Sequence, residues 1–422
     1  MKLLIKQACI TDPHSPHQGN TRDILIEEGI ISEIADSIPD GKADKIITGN
    51  GLYVSPGWVD IFSHFGEPGY EFKETLETGA RAAAAGGFTD VFAIPDSNPV
   101  TDSKTQVEYL RQRSATLPVN IWPIGAITRN LDGKHLAEMY DMQNSGAVAF
   151  SDGLHPVQSS GVLVKALQYV KAFEGVIIQI PDDISIAPNG LMHEGIISTR
   201  LGLPGKPMMS EELIIARDIK LARYTDSHIH FTGVTSPKSM EYIRRAKASG
   251  LHVTCSVTPY HLFFSDADLG QYDTNLKVYP PLRPRSFTDQ LKAALMDGTV
   301  DCIASHHLPH EYDSKVLEFE HAKYGMVGFE TAYSAVQTLF PELSPGKIYD
   351  LFGGNARTIF KLKQPRIERK EEAVLTLFNP KESWQFKLSL SKSKSKNSAF
   401  QDHTFTARPV GIVHRDEYFL ND

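Results

Sequence analysis

The chain has 422 residues and 41% hydrophobic content, enough for one large domain and a smaller one. Its net charge of −8 and pI near 6.1 argue against general binding to nucleic acid or to anionic membranes. No apolar run approaches the roughly 18 residues of a membrane span, and the three cysteines are far apart, so we expect a cytoplasmic protein with reduced thiols.

Residues 1–53 alternate apolar and polar side chains in short runs that end at turn residues, such as Gly29 and the sequence Gly49-Asn50-Gly51. A period of two is typical of half-buried strands. The predicted strands are Lys2–Lys6, Arg22–Glu28, Ile30–Ile34 and Ile46–Thr48.

From Val54 to Lys361, short apolar runs alternate with helical segments. One such helix is predicted over Pro237–Ser249, with Ser236 as its N-cap. The predicted strands are Val54–Phe65, Thr89–Pro95, Val119–Ile127, Ala147–Ser151, Gly175–Ile180, His228–Val234, His252–Thr258 and Val300–Ser305. This alternation predicts an α/β fold, a (β/α)8 TIM barrel whose active face lies at the carboxyl ends of the strands.

After residue 361 the pattern returns to strands, predicted over Ala373–Phe378, Trp384–Leu390 and Val410–His414. The basic run Lys392–Lys396 favours a solvated loop.

Several motifs along the chain together carry a family resemblance. They are Asp60-Ile61-Phe62-Ser63-His64, Lys73-Glu74-Thr75, the segment Gly146–Asp152, Pro280-Pro281-Leu282-Arg283, Leu308-Pro309-His310 and the segment Ser393–Phe400. In these motifs the chain resembles the dihydroorotases of the amidohydrolase superfamily over nearly its whole length. The resemblance implies a barrel over residues 54–361 and a small β-sandwich domain formed from both termini, residues 1–53 and 362–422.

Dihydroorotases hydrolyse a cyclic amide, or close it in reverse, with a metal that activates water and polarises the carbonyl. The resemblance implies metal ligands at two histidines after strand 1, a carboxylate at strand 4 and histidines at strands 5 and 6. It also implies an aspartate at strand 8 that transfers the proton.

Most of these positions differ in this chain. His64 and Asp152 keep their expected residue types, although Gly153 stands where the family often has a second aspartate. The positions that lose the expected group are Phe62 at strand 1, Ile180 at strand 5, Gly233 at strand 6 and His306 at the catalytic aspartate. The sequence His228-Ile229-His230 lies inside strand 6, before the carboxyl end of the strand, which opens at the mouth of the barrel. These histidines are predicted to be structural.

The implied substrate-binding positions differ as well. Gly66 replaces an arginine that would bind the substrate carboxylate, and Asp96 and Tyr279 replace asparagines. A negative charge at Asp96 would face an anionic substrate, where donors are needed.

The replaced residues stand at the positions implied for metal binding, proton transfer and substrate binding, while the motifs of the scaffold are kept. We therefore expect a non-catalytic dihydroorotase-like protein of pyrimidine biosynthesis with no catalytic residue and no cofactor. Inactive relatives of this kind accompany aspartate transcarbamoylase, so that enzyme is the predicted partner. Two alternatives stay open. One is an active cyclic amidohydrolase with a rebuilt site, holding zinc on His64, Asp152 and His306. The other is a small-molecule sensor, and a homo-oligomer is compatible with each hypothesis.

Overall fold

The computed structural model describes residues 2–421, and its N-terminal segment forms strands separated by turns. They are β1 (Lys2–Ile10), β2 (Thr21–Glu27), β3 (Ile30–Ala35), β4 (Lys45–Ile47) and β5 (Tyr53–Pro56). β1 pairs antiparallel with β2, which pairs antiparallel with β3, while β4 and β5 pair parallel with β1.

The central part of the chain forms the barrel. Its strands are β6 (Trp58–Ser63), β7 (Phe88–Ala93), β8 (Asn120–Gly125), β9 (Ala149–Phe150), β10 (Val176–Gln179), then, after a small pair β11 (Met192–His193) and β12 (Gly205–Lys206), β13 (His228–Phe231), β14 (Val253–Val257) and β15 (Cys302–Ile303). The eight barrel strands lie in chain order and pair in parallel. A bridge between Ser63 of β6 and His307, shortly after the end of β15, closes the ring of strands, so the predicted barrel is confirmed.

Helices cover the outside of the barrel. They are α1 (Leu76–Ala85), α2 (Lys104–Arg113), α3 (Met139–Asn144), α4 (Ser160–Lys171), α5 (Ile196–Leu201), α6 (Met209–Thr225), α7 (Pro237–Ala248), α8 (Pro259–Phe263), α9 (Arg285–Met296), α10 (Phe329–Leu339), α11 (Pro345–Tyr349) and α12 (Asn355–Ile359). The predicted N-cap of α7 is confirmed, because the Ser236 side chain accepts from the amides of Lys238 and Ser239. None of the helices described is long and apolar enough to cross a membrane.

The C-terminal strands are β16 (Val374–Asn379), β17 (Trp384–Gln385), β18 (Thr404–Phe405), β19 (Arg408–His414) and β20 (Glu417–Leu420). β16 pairs with β5 and β19, so both ends of the chain share one eight-stranded sheet in the order β20-β19-β16-β5-β1-β2-β3, with β4 beside β1. This sheet has its own buried core, which includes Leu3, Ile24, Val54 and Leu375. Strands from both termini therefore pair in one sheet, as predicted, and the division of the chain into domains at residues 53 and 361 stays a prediction.

Two predicted strands differ from the structure. The stretch Val54–Phe65 is not one strand: Val54 lies in β5 of the terminal sheet, and the barrel strand β6 begins at Trp58, after Gly57. A Cβ at Gly57 would lie 2.1 Å from Thr89 Oγ1, so this close approach requires glycine at the boundary. The predicted strand Trp384–Leu390 extends only over β17, which pairs with β18 outside the terminal sheet.

Candidate functional site

Strand β6 delivers Phe62 and His64 to the carboxyl end of the barrel. Phe62 is fully buried in an apolar cluster that also contains Ile180. The Gly66 amide donates to His64 Nδ1 at 3.0 Å, so the ring proton lies on Nε2, which is 2.8 Å from the carbonyl oxygen of Asp96. Burial lowers the pKa of His64 to about 4. Both ring nitrogens of this neutral histidine are therefore occupied by the protein's own backbone.

Asp152 follows β9 and serves the neighbouring loop. Its Oδ1 accepts from the amides of Ile127 (2.9 Å) and Thr128 (2.8 Å), and its Oδ2 accepts from Thr128 Oγ1 at 2.5 Å. Burial nevertheless raises the pKa of Asp152 to about 6. This carboxylate ties the end of β8 to the end of β9 and uses both of its oxygens in doing so.

Asp96, after β7, occupies the space that a side chain on Gly153 would take. A Cβ built on Gly153 would lie 1.6 Å from Asp96 Oδ2, and the glycine has φ +59°. The Asp96 carboxylate accepts from the Leu154 amide at 3.2 Å and lies 3.5 Å from His155 Nε2. Gly153 stands where the resemblance implies a second aspartate after the fourth barrel strand, β9. The carboxylate of Asp96, which follows the second barrel strand, β7, occupies that space instead.

Burial, assisted by the charge of Asp152, raises the pKa of Asp96 to about 7. In the unfolded chain this carboxyl ionises near pH 4, so the folded protein loses stability as the pH rises from about 4 to 7.

Substitution Asp96→Asn keeps the acceptor for Leu154 and removes this penalty. We expect it to raise the free energy of unfolding at pH 8 by on the order of 3 kcal/mol, and to have almost no effect at pH 4. Urea unfolding at both pH values measures the difference, with Asp313→Asn on the exposed surface as the matched control. An equal effect of Asp96→Asn at pH 4 and pH 8 would contradict the assignment of a buried, protonated carboxyl.

Gly233, after the sixth barrel strand β13, and His306, after the eighth barrel strand β15, are sterically coupled. Gly233 has φ +69°, and a Cβ there would lie 2.8 Å from Cε1 of His306. The His306 ring packs against Phe62 with centroids 4.6 Å apart, and its Nε2 lies 2.7 Å from Thr232 Oγ1. The space beside Gly233, where the resemblance implies a metal ligand, is therefore closed by the imidazole of His306.

Burial also lowers the pKa of His306 to about 3. A general base works best when its pKa is close to the working pH. At neutral pH this imidazole is a weak base that is fully buried, with Nδ1 unpaired.

The positions where the resemblance implies substrate-binding residues are closed by local packing. A Cβ at Gly66, which has φ +71°, would lie 2.5 Å from the carbonyl oxygen of Glu74, so an arginine does not fit this backbone. Tyr279 donates its hydroxyl to Asp182 Oδ2 at 2.6 Å, and Lys206 Nζ is 2.8 Å from the same oxygen. Asp182, in the long loop after β10, is thereby bonded to both Tyr279 and Lys206.

The C-terminal segment is anchored to loops that follow the first and last barrel strands. Glu74 is fully buried and accepts from the Ser393 hydroxyl and from the Lys394 amide (3.0 Å). Asn397 donates to the carbonyl oxygens of Leu308 (3.0 Å) and Gly325 (3.1 Å). Sequence reasoning missed these anchors; the alternation of serine and lysine over 391–396 was the available signal. The predicted solvated loop has exposed lysines but buried serines.

The residues at the mouth do not fit the metal ion that the family resemblance implies. Phe62, Ile180 and Gly233 offer no lone pair, and His64 and Asp152 direct their lone pairs to protein donors or protonate them. Within the described part of the chain, no group of three or more His, Cys, Asp or Glu side chains could hold a metal ion. His64, Asp152 and His306 accordingly do not form a ligand set.

The His-x-His pair of strand 6 lies in the barrel wall. His230 is fully buried, with Nδ1 2.9 Å from Thr254 Oγ1 and Nε2 3.0 Å from Ser256 Oγ, both on β14. Burial lowers its pKa well below the usual value. This histidine cross-links two strands, as predicted for a structural residue.

Comparison with known proteins places these features in context. A family model described as dihydro-orotase-like matches residues 51–239. The chain is 38% identical to the dihydroorotase of Geobacter metallireducens over 403 residues, 95% of each chain, and 39% identical to that of Ruminiclostridium cellulolyticum over 413 residues, 97% of this chain and 96% of the relative. Its fold is similar to that of the L-hydantoinase from Arthrobacter aurescens, with a TM-score of 0.85 at 21% identity, covering 99% of this chain and 96% of that one.

Proposed function

The chain belongs to the dihydroorotase family, and from this premise we propose that it is a non-catalytic member that serves pyrimidine biosynthesis as a structural or regulatory partner of aspartate transcarbamoylase. The proposal has two parts, the absence of the hydrolytic reaction and the presence of a partner. Each part rests on different observations and has its own test.

The engagement of His64 carries the first part. This is the strand-1 histidine that the chain retains, yet its two nitrogens bond to the backbone of Gly66 and Asp96. A catalytic zinc site needs several protein ligands and outer groups that orient them. Here the neighbouring positions are an aromatic ring, an aliphatic side chain and a glycine, which supply neither ligands nor orientation.

The second part follows from what the chain retains. The chain keeps the barrel and the terminal sheet, while the residues at the positions implied for catalysis are replaced. A fold can persist after its catalytic activity is lost when another surface of the protein binds a partner. Inactive dihydroorotase-like chains accompany aspartate transcarbamoylase, the preceding enzyme of the pathway. The pattern of replacements in this chain resembles theirs, which supports the same role.

Co-expression with the aspartate transcarbamoylase of the same organism, followed by size-exclusion chromatography, tests the partnership. We expect the two chains to elute together at micromolar concentration and the transcarbamoylase activity to differ from that of the enzyme alone. Separate elution with unchanged transcarbamoylase activity would overturn the partnership and leave a homo-oligomer or a sensor.

The similarity to relatives named dihydroorotase favours one alternative, an active metal-dependent amidohydrolase with a rebuilt site. That alternative requires stoichiometric zinc and turnover of dihydroorotate. The sensor alternative requires a small molecule that raises the melting temperature of the protein and is not converted.

A further inference from the structure

The segment 391–397, here called the strap, alternates between two environments. Its serines are buried against the barrel and its lysines are exposed: Ser391, Ser393 and Ser395 face inward, and Lys392, Lys394 and Lys396 face outward. The alternation holds although the backbone bends at residues 392–394 and forms no strand. The strap therefore presents a row of positive charges in a fixed position.

Two carboxylates hold the strap, the buried Glu74 and the half-buried Glu330. Glu74 accepts from Ser393 and the Lys394 amide, and Glu330 accepts from the Ser391 hydroxyl and from the Lys392 amide at 2.9 Å. These acids accept from hydroxyls and amides rather than from ammonium groups. The ammonium groups of Lys394 and Lys396 donate instead to backbone carbonyl oxygens. Within residues 2–421, neither Lys387 nor Lys392 takes part in an ion pair.

A cavity of about 130 Å³ lies beside the start of the strap. Its apolar wall includes Trp384, Phe386, Leu390 and Pro409, and Lys387 and Lys392 stand at its edge. Leu390 is 70% exposed, so the apolar wall extends onto the surface. An apolar cavity of roughly 150 Å³ accepts benzene, and the one described here has room for a single aromatic or branched aliphatic side chain.

Cationic side chains outnumber the acidic one in the lining of this cavity, because Glu330 stands against Lys387, Lys392 and Arg408. Glu330 is bonded to the strap, and Arg408, which also lines the cavity, pairs with Glu382 at 2.9 Å. The ammonium groups of Lys387 and Lys392 remain as the charges that a bound segment would meet. A cationic edge around an apolar pocket is complementary to an anionic segment with one apolar side chain.

We propose that this cavity and the adjoining lysines are a docking site for an acidic segment of a partner protein, one that inserts a bulky apolar side chain between flanking carboxylates. The inference rests on the proposed function, because it names the surface and the chemistry through which the partner binds. The apolar side chain would fill the pocket beside Trp384 and Leu390, and the carboxylates would lie against Lys387 and Lys392.

The double variant Lys387→Glu/Lys392→Glu tests this docking site. Both side chains are exposed, and neither ammonium group bonds to the barrel, so we expect an unchanged melting temperature. The matched control is Lys134→Glu/Lys220→Glu, which makes the same change in charge at exposed positions elsewhere. In co-elution with aspartate transcarbamoylase, we expect the double variant to bind at least about tenfold more weakly than the control.

A second measurement is independent of that enzyme. Fluorescence anisotropy with a labelled Asp-Asp-Phe-Asp-Asp peptide should show binding to the wild-type chain. The double variant should bind this peptide at least about tenfold more weakly. The wild-type chain should bind an Asn-Asn-Phe-Asn-Asn peptide at least about tenfold more weakly than the acidic one.

The outcomes separate the two proposals. Equal binding of aspartate transcarbamoylase by the double variant and the control overturns the docking site and leaves the proposed function. Failure of the wild-type chain to bind that enzyme overturns the proposed function, and the peptide measurement then decides the docking site. Equal binding of the acidic and neutral peptides, or of neither, overturns the docking site.

Discussion

Substitution Gly153→Asp, which would restore the paired aspartates typical of the family, is expected to lower the free energy of unfolding by about 3–5 kcal/mol. The added Cβ would lie 1.6 Å from Asp96 Oδ2, and the backbone has φ +59°. An L-residue is strained in this region, and the new carboxylate would repel Asp96 and Asp152. Urea unfolding at pH 8 measures the loss.

A double-mutant cycle isolates the clash. Gly153→Ala should destabilise strongly when Asp96 is present, and by only about 1 kcal/mol in the Asp96→Ala background, where the strain from φ alone remains. Additive effects of Gly153→Ala and Asp96→Ala would show that the two side-chain positions do not compete for the same space.

Substitution Gly233→His, which would restore the strand-6 ligand, is the second large effect. Its Cβ would lie 2.8 Å from His306 Cε1 and 3.2 Å from Pro280 Cδ, on a backbone with φ +69°. We expect a loss of about 2–4 kcal/mol in the free energy of unfolding. The shorter side chain of His306→Asp should recover part of that loss in the double variant, because it withdraws the imidazole from this space.

The Gly233→His/His306→Asp protein should still bind no stoichiometric zinc, since Phe62 and Ile180 continue to fill the mouth with apolar groups. Zinc content after dialysis measures this, with the wild-type chain treated in parallel.

Equal stability of Gly233→His in the presence and absence of His306→Asp would contradict the steric coupling between residues 233 and 306.

The barrel was predictable because each apolar run is followed by a helical segment, and the predicted strand positions lie where the structure has them. The boundary at Gly57 was not visible, since Val54 to Phe65 reads as one apolar run and the change of sheet depends on the contact with Thr89. The short extent of β17 was missed because Phe386 is buried outside any strand, and burial alone imitates the pattern of a strand.

The site was predictable as a set of replaced residue types, but the replacements that compensate for one another were not. Asp96 and Gly153 are 57 positions apart, and Gly233 and His306 are also distant in the chain. Their coupling arises because strand ends meet at the barrel mouth. Likewise, Glu74 and Ser393 are separated by 319 residues, and no local pattern links them.

Turnover of dihydroorotate by the zinc-treated chain alone, with the bound metal quantified in the same sample, tests the central claim most directly. We expect far less than one zinc per chain and no measurable conversion in either direction, because the occupied His64 and Asp152 and the apolar Phe62 and Ile180 leave no ligand set. Stoichiometric metal together with turnover at an ordinary enzymatic rate of about 1–10³ s⁻¹ would contradict the account and establish an active, rebuilt site.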